Sequence, residues 1–198
     1  NHLVAAMMRI SPGENDVLFL CVGRLVKDKG IEDVVEAFLK SKIVDKSRLI
    51  LLGSFEQDLN PVAAETVRKI NDHPRIVHVE WTDHVPHYMA ISDVLIHASY
   101  REGFPNVLLE AGAIQCPVIC SDIAGNLELV AHQKSGLVYP VGDVQALKEA
   151  MEFAFVKKEV MYGYAEKLNQ TVRKNFERGK VHQLILENYQ RLLQATPQ

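Results

Sequence analysis

Few of the features that mark specialised protein classes occur in this sequence. Its 198 residues contain no run of lysines or arginines, and the formal net charge is -3. The composition therefore gives no sign of a nucleic-acid groove or a basic membrane-binding face. No apolar stretch approaches the roughly 20 residues of a membrane-spanning helix, and no signal sequence opens the chain. These absences predict a soluble, cytoplasmic protein.

Cysteine is scarce, and the patterns typical of metal sites are missing. Cys21, Cys116 and Cys120 lie in apolar runs without a C-x-x-C pair, so we interpret them as buried hydrophobic residues in a reducing compartment. No D-x-D pair occurs, and His84 and His87 lack a cysteine or carboxylate at a suitable spacing. We expect no bound metal and no cofactor.

The composition favours a single well-filled domain. Hydrophobic residues make up 47% of the chain, enough for one core, whereas the length is short for two domains. We assign residues 1–198 to one domain, with 1–15 as a leading segment and 157–198 as two C-terminal helices. Because the chain begins at Asn1 without an initiator methionine, we expect a fragment of a longer protein.

Short apolar runs alternate with amphipathic stretches as far as residue 156. This alternation predicts an α/β fold, a Rossmann-like parallel sheet with helices on both faces. The predicted strands are Val17–Val22, Arg48–Leu52, Ile76–Val79, Val94–Ala98, Pro117–Cys120 and Leu137–Tyr139. The predicted helices cover 30–41, 60–72, 85–91, 105–115 and 143–156, followed by 158–174 and 178–194. Asn60-Pro61 and Asp143 are typical helix starts.

Candidate binding residues follow the ends of these strands. In an open parallel sheet, ligands bind beyond the carboxyl ends of the strands, near the switch in strand order. Gly23, Gly53 and the segments 99–106 and 121–125 all fall at those ends. We therefore expect the chemistry of the chain to converge on one edge of the sheet.

Two pairs of charged residues at this edge favour a bound diphosphate that carries hydroxyl-rich groups, as a nucleotide-sugar does. Arg24 and Lys29 follow the first strand, where both can bind phosphate oxygens. Glu102 lies in a loop, and Glu110 lies on the next helix, whose free amides attract an anion.

Plainer interpretations of the same residues stay open. Lys29 could be a solvated surface lysine, Glu102 a simple loop carboxylate and Glu110 a helix-surface glutamate that favours the helix dipole. His97, at the end of a predicted strand, either contacts the ligand or packs in the core.

Four motifs, in this order, resemble the donor-binding half of GT-B glycosyltransferases of the family 4 type, also known as glycosyl transferases group 1. The resemblance covers about residues 17 to 155. The motifs are Gly23-Arg24…Lys29-Gly30, then Ser99-Tyr100-Arg101-Glu102-Gly103-Phe104-Pro105-Asn106…Glu110-Ala111, then Pro117-Val118-Ile119 with Ser121-Asp122…Gly125…Glu128, and Ser135-Gly136-Leu137-Val138.

The resemblance implies roles for individual residues. Arg24 and Lys29 match residues that bind the donor diphosphate, Glu102 matches a glutamate at the donor sugar, and Glu110 matches one that binds the ribose. The amides of the segment from Gly103 to Val107 match those that hold sugar hydroxyls and phosphate. The implied catalytic residues are Glu102, Arg24 and Lys29. The implied donor-binding residues are Gly23, Arg24, Lys29, Glu102, Gly103, Phe104, Pro105, Asn106, Val107 and Glu110.

The resemblance also implies an activity. It is that of a retaining, metal-independent glycosyltransferase that moves sugar from a UDP- or GDP-sugar to a glycan or glycolipid acceptor, in surface polysaccharide or lipopolysaccharide synthesis. The family's N-terminal acceptor-binding domain has no counterpart here, so we expect little or no transfer by this chain alone. Peripheral association of the full-length protein with the inner face of the membrane stays open. So do two alternatives, a nucleotide-sugar epimerase of GT-B architecture and a non-catalytic nucleotide-binding domain.

Three positions depart from the pattern of that family. Trp81-Thr82 stands where a glycine is usual after the third strand, Ala124 replaces the first glycine of a frequent pair, and His97 stands where an apolar residue is usual. We expect Trp81 to border the nucleobase pocket.

Overall fold

The computed structural model describes residues 16–58 and 60–177, together with Ile10, Gly13 and Gly179. Within these residues, six parallel strands form one sheet. The strands are β1 Val17–Val22, β2 Ser47–Leu52, β3 Ile76–Val79, β4 Val94–His97, β5 Val118–Ser121 and β6 Leu137–Tyr139. The α-helices are α1 Ile31–Lys40, α2 Ala64–Asp72, α3 Val85–Ile91, α4 Asn106–Ala113, α5 Ala124–Leu127, α6 Val144–Val156 and α7 Lys158–Asn175. Lys27–Lys29 and Val44–Lys46 form single 3-10 turns.

The order of strands in the sheet is β3-β2-β1-β4-β5-β6. The chain adds β2 and β3 on one side of β1 and then returns to place β4 on the other side, where Leu20 pairs with Leu95. The carboxyl ends of β1 and β4 therefore flank the point at which the strand order reverses, the usual ligand position in such sheets. The predicted Rossmann-like fold is confirmed.

Each strand contributes to two cores, one on each face of the sheet. In β1, Phe19 and Cys21 pack with α1 and α6 on one face, whereas Leu18 and Leu20 pack with α3, α4 and α7 on the other. This division follows from the two-residue period of a strand. Because helices cover both faces, the strands are apolar almost throughout, as the sequence predicts.

One predicted helix start is wrong. Asn60-Pro61 does not begin α2, which starts at Ala64. Asn60 adopts a φ of 54° and accepts a hydrogen bond from the Lys27 amide at 3.0 Å, and Pro61 pairs with Val26. These contacts tie the segment to the loop after β1 and hold it outside the helix.

The other predicted elements agree with the structure to within a few residues, and the short α5 was not predicted. Asp143 caps α6 as expected, since its Oδ1 accepts a hydrogen bond from the Ala146 amide at 2.9 Å.

The C-terminal region begins with α7, which matches the helix predicted over 158–174. This helix packs on α4 so closely that a Cβ at Gly112 would lie 2.7 Å from Val172 Cγ2. Asn169 Nδ2 also donates to the Gly112 carbonyl at 2.8 Å. The second predicted helix, 178–194, lies outside the described residues except for Gly179, as does 1–15 except for Ile10 and Gly13. Among the helices of the described region, none has the length and apolar content that crossing a membrane requires.

Candidate functional site

A cleft of about 350 Å³ opens at the carboxyl ends of β1 and β4. It is lined by Val22, Gly23, Lys29, Val85, His97, Glu102, Phe104, Pro105, Asn106, Val107 and Glu110. Eight of the ten predicted donor-binding residues are among these, and the two exceptions are Arg24 and Gly103. The fold thus brings together residues that lie up to 87 positions apart in the sequence, from Gly23 to Glu110.

Lys29 reaches the cleft because the loop after β1 closes tightly against the end of β4. Gly30 follows the 3-10 turn with a φ of 67°, and a Cβ there would lie 2.3 Å from the Ala98 carbonyl oxygen. Only glycine allows both this conformation and this approach. The Tyr100 amide also donates to the Asp28 carbonyl at 2.9 Å, which locks the two loops together.

The loop that carries Glu102 is held from its other side by the segment after β5. Ser121 Oγ donates to the Ser99 carbonyl at 2.6 Å, and Asn126 Nδ2 donates to the Ser121 carbonyl at 3.0 Å. A Cβ at Gly125 would lie 3.1 Å from the Gly103 carbonyl oxygen and 3.2 Å from that of Glu102. The loop therefore rests on rigid backbone between the ends of β1 and β5.

Glu102 is anchored through only one of its carboxylate oxygens. Its Oε1 accepts hydrogen bonds from Lys29 Nζ and, at 3.0 Å, from Ser99 Oγ. No described residue pairs with Oε2. Burial opposes ionisation of this carboxyl, but Lys29, with help from Ser99, holds its pKa below the usual value. The carboxylate is thus fixed, charged at neutral pH and free to accept a hydrogen bond through Oε2.

His97 lies beneath this ion pair. Its side chain is buried, with the residue 6% exposed, and its Nε2 is 3.4 Å from Glu102 Oε1. The alignment is not that of a hydrogen bond, and Nε2 has no partner among the described residues. Burial, opposed by Glu102 and reinforced by Lys29, lowers the pKa of His97 from 6.5 to about 4. At neutral pH this imidazole is uncharged.

The amino end of α4 offers unpaired donors to the cleft. Pro105 precedes the helix without a capping side chain, and the first turn contains no acidic residue. Within the described chain, the amides of Gly103, Phe104 and Val107 have no acceptor. Such a helix start favours an anion through its free N–H groups and its dipole.

Glu110 lies one turn further along α4 and also faces the cleft. It is exposed, and its carboxylate forms no hydrogen bond or ion pair within the described part of the chain. A carboxylate in this state can accept hydrogen bonds from two neighbouring hydroxyl groups.

Arg24 lies in a different environment from Lys29, the other predicted phosphate-binding cation. Its side chain is 60% exposed, and its Nη1 donates to Glu56 Oε2 at 3.0 Å in the loop after β2. This pair lies on the side of the cleft next to Gly23 and does not line it. Trp81 also lies outside the lining residues and is 67% exposed, so its predicted contact with a base stays a prediction.

Several residues of the site were not identified from the sequence. Val22 lines the cleft as the last residue of β1, and its position immediately before Gly23 could have indicated this. Nothing in the sequence singles out Val85 at the start of α3 or Glu56 as the partner of Arg24. In the described region, no three His, Cys, Asp or Glu side chains cluster as a metal site would require.

Known proteins resemble this chain in both sequence and structure. The family model for glycosyl transferases group 1 matches residues 7–178. A putative teichuronic acid biosynthesis glycosyltransferase, TuaC of Bacillus subtilis, is 30% identical over 174 residues, which cover 87% of this chain and 42% of that protein.

Two solved structures share the fold. The Anabaena HepE structure with UDP and glucose aligns with a TM-score of 0.84 at 20% identity, over 96% of this chain and 51% of that one. The C-terminal domain of a glycosyl transferase group 1 family protein, LpcC of Francisella tularensis, aligns with a TM-score of 0.76 at 20% identity, over 90% of this chain and 94% of that one.

These similarities place the fold among GT-B glycosyltransferases, with the six-stranded parallel sheet and its covering helices in common. The chain spans less than half the length of the first curated relatives that it matches. Because the family model covers most of its residues, the chain belongs to the glycosyl transferases group 1 family.

Proposed function

We propose that this chain is the donor-binding, C-terminal domain of a retaining glycosyltransferase of the family 4 type. The protein transfers sugar from a nucleotide-sugar to a glycan or glycolipid acceptor, without a catalytic metal. The observation that carries the proposal is the cleft between β1 and β4, in which a lysine, two carboxylates and a helix start with free amides converge. A diphosphate with hydroxyl-rich groups on both sides matches this set of donors and acceptors.

Each part of the donor has a matching partner in the cleft. The free amides at the start of α4, with Lys29, bind the diphosphate. Glu110, unpaired and one helical turn away, accepts both ribose hydroxyls. Glu102, fixed through Oε1, accepts a hydroxyl of the sugar through Oε2. This assignment gives Glu102, Lys29 and Arg24 the electrostatic roles at the reacting bond, where fixed charges and dipoles stabilise a departing diphosphate.

The balance of charge in the cleft indicates weak binding by this chain alone. Lys29 is the only cation among the described lining residues, and Glu102 already neutralises it, while Glu110 adds a further negative charge. The diphosphate therefore depends on backbone amides, on Arg24 at the rim and on groups outside this chain. We propose that an N-terminal acceptor-binding domain supplies those groups and excludes water, and that this chain transfers little sugar without it.

The size of the relatives supports this division of roles. The chain spans less than half of the first relatives, and it matches nearly the whole of a solved C-terminal domain. The name of the Bacillus subtilis relative supports a role in a cell-surface polysaccharide. We propose such a glycan, or its lipid-linked precursor, as the acceptor class.

Calorimetric titration of this chain with UDP, GDP and ADP, in the presence of EDTA, tests the proposal. We expect selective binding of one nucleotide that Glu110→Gln weakens about tenfold or more, since a hydrogen bond to a charged group contributes about 1.5 kcal/mol or more. Glu166→Gln, at an exposed position of α7 that does not line the cleft, is the matched control and leaves affinity unchanged. Failure of all three nucleotides to bind the folded chain would contradict a donor site formed by these residues. Binding that appears only after Mg²⁺ is added would contradict metal independence.

A further inference from the structure

His97 is the one polar side chain of β4, and its environment does not suit a packing role. The preceding residues of the strand, Val94, Leu95 and Ile96, are apolar and buried. His97 is also buried, with 6% of the residue exposed, yet its Nε2 has no hydrogen-bond partner among the described residues. An apolar side chain would avoid the cost of burying an unpaired nitrogen. A histidine at this position therefore indicates a role that the arrangement without a ligand does not use.

The anchored oxygen of Glu102 is an acceptor close to His97 Nε2. That oxygen, Oε1, lies 3.4 Å away and is already taken by Lys29 and Ser99. Because the pKa of His97 is lowered to about 4 by burial, the ring is neutral at pH 7 and carries one N–H. A carboxylate oxygen facing Nε2 favours the tautomer with the proton on that nitrogen. His97 thus carries an unused N–H donor beside Glu102 Oε1, an acceptor that is already bonded to Lys29.

A bound nucleotide-sugar would compete with Glu102 for Lys29. It lines the cleft, with 23% of its side chain exposed, and it is the only cation among the described lining residues. A diphosphate carries more negative charge than one carboxylate and attracts the ammonium group more strongly. Its arrival would therefore draw Lys29 from Glu102 and leave Oε1 with Ser99 alone.

We propose that His97 is a positioning residue that holds Glu102 when the donor diphosphate engages Lys29. A small shift of the carboxylate brings Oε1 into line with the Nε2–H group, and Ser99 and His97 then anchor the side chain as two neutral donors. Oε2 stays directed at the sugar. This inference rests on the proposed function, because it assigns His97 an effect on sugar recognition and none on nucleotide recognition.

The test compares each nucleotide with its sugar derivative on this chain, using UDP against UDP-glucose and GDP against GDP-mannose. The dissociation constant of the nucleotide divided by that of its sugar derivative measures how much the sugar adds to the affinity. We expect His97→Leu to reduce that ratio about fivefold and to leave the affinity for the free nucleotide unchanged. His97→Gln, which keeps an N–H donor of similar reach, is expected to restore most of the ratio.

A double-mutant cycle with Glu102→Gln shows whether His97 acts through that carboxylate. We expect the double variant His97→Leu/Glu102→Gln to lose no more than Glu102→Gln alone. Thermal unfolding of His97→Leu provides the check on folding, and we expect an unchanged or raised Tm because an unpaired buried nitrogen is removed.

The outcomes separate two kinds of failure. If the wild-type chain binds none of the nucleotides, the proposed function fails and this inference fails with it. If the chain binds nucleotide but His97→Leu leaves the ratio unchanged, or weakens nucleotide and sugar derivative equally, only this inference is overturned. Equal wild-type affinities for a nucleotide and its sugar derivative, for both pairs, would also overturn it. If His97→Gln reduces the ratio as much as His97→Leu does, the N–H donor has no role and this inference is overturned.

Discussion

Charged side chains at the two ends of the parallel sheet differ in whether they are paired within the protein. At the amino ends, Asp16 accepts hydrogen bonds from the Gly13 amide at 3.0 Å and from Arg75 Nη1 at 2.6 Å, and Arg48 Nε lies 3.4 Å from it. Although burial opposes ionisation, these groups hold the pKa of Asp16 below the usual value. At the carboxyl ends, the Glu110 carboxylate and the amides of Gly103, Phe104 and Val107 have no partners within the described chain.

Asp93 repeats the pattern of the amino ends. Its Oδ2 accepts a hydrogen bond from the Leu18 amide at 2.8 Å, and its Oδ1 lies 3.3 Å from Lys158 Nζ. The carboxylates of Asp16 and Asp93 are thus paired within the protein, whereas that of Glu110 at the cleft is not. The free carboxylate and amides at the cleft therefore keep hydrogen-bonding capacity for a ligand.

The largest expected effect is on nucleotide affinity at the carboxyl ends. We expect Lys29→Met to weaken nucleotide binding between about 10-fold and 100-fold, because a hydrogen bond to a charged group contributes about 1.5–3 kcal/mol. Lys27→Met is the matched control, since Lys27 lies in the same loop but is exposed and does not line the cleft. Equal losses in both variants, by calorimetric titration, would mean that the loop's overall charge matters and that the position of Lys29 does not.

Asp16→Asn tests the amino ends and is expected to affect stability alone. Asp16 links β1 to arginines at the starts of β2 and β3, so its neutralisation should cost about 1–2 kcal/mol in the free energy of unfolding measured with urea. Nucleotide affinity should not change. Glu65→Gln, which removes an exposed ion pair with Lys69 on α2, should cost less than about 0.5 kcal/mol. A loss of ligand affinity in Asp16→Asn would show that the two ends are coupled.

His97 should make the stability of the protein depend on pH in a narrow window. Its pKa is lowered from 6.5 to about 4 in the folded state, so the unfolded chain binds more protons between these values and stability falls as the pH falls. From this residue alone we expect a loss of about 1 kcal/mol between pH 7 and pH 5.5. Below about pH 4 both states are protonated and the loss does not grow further.

Urea unfolding of the wild type and of His97→Leu at the two pH values isolates this contribution. The difference between the two proteins in the free energy of unfolding should increase by about 1 kcal/mol from pH 7 to pH 5.5. Glu102 does not interfere, because its pKa is lowered and its stabilising charge is lost only at more acid pH. A difference that stays constant with pH would contradict a buried, neutral His97 in the folded state.

The sequence predicts the fold well because the dominant signals are local. Each strand is a short apolar run, each helix follows within a few residues, and parallel strands need such crossovers. The place of the site follows from the same reasoning, since Gly23, Lys29 and Glu102 lie in segments that follow strands. Asn60-Pro61 shows where local signals fail, because pairing with the loop after β1 overrides a favourable helix start.

Features that depend on side-chain contacts between distant loops could not be predicted. The sequence identifies Glu102 as a candidate ligand-binding residue, but it does not reveal that one oxygen is anchored and the other is free. It leaves His97 open between packing and binding, since only the distance to Glu102 and the missing partner distinguish the two. It also says nothing of Glu56, which lies 32 positions from the arginine that it binds.

The smallest expected effect concerns Arg24 and Glu56. This pair combines features of both ends of the sheet. Arg24 is a predicted phosphate-binding residue, yet it is paired, as the structural charges of the amino ends are. Because both side chains are substantially exposed, the pair contributes less than about 1 kcal/mol, and salt screens it. A diphosphate can therefore displace Glu56 at little cost.

If Glu56 competes with the ligand for Arg24, Glu56→Gln should strengthen nucleotide binding about twofold at low salt and have no effect at high salt. Arg24→Gln should weaken binding by a similar or larger factor, and the double variant Arg24→Gln/Glu56→Gln should bind as Arg24→Gln does. Titrations of the four proteins at about 20 mM and 300 mM salt measure both effects. Stronger binding by Glu56→Gln in the Arg24→Gln background as well would show that Glu56 acts through the general field at the cleft. It would then not be holding the arginine.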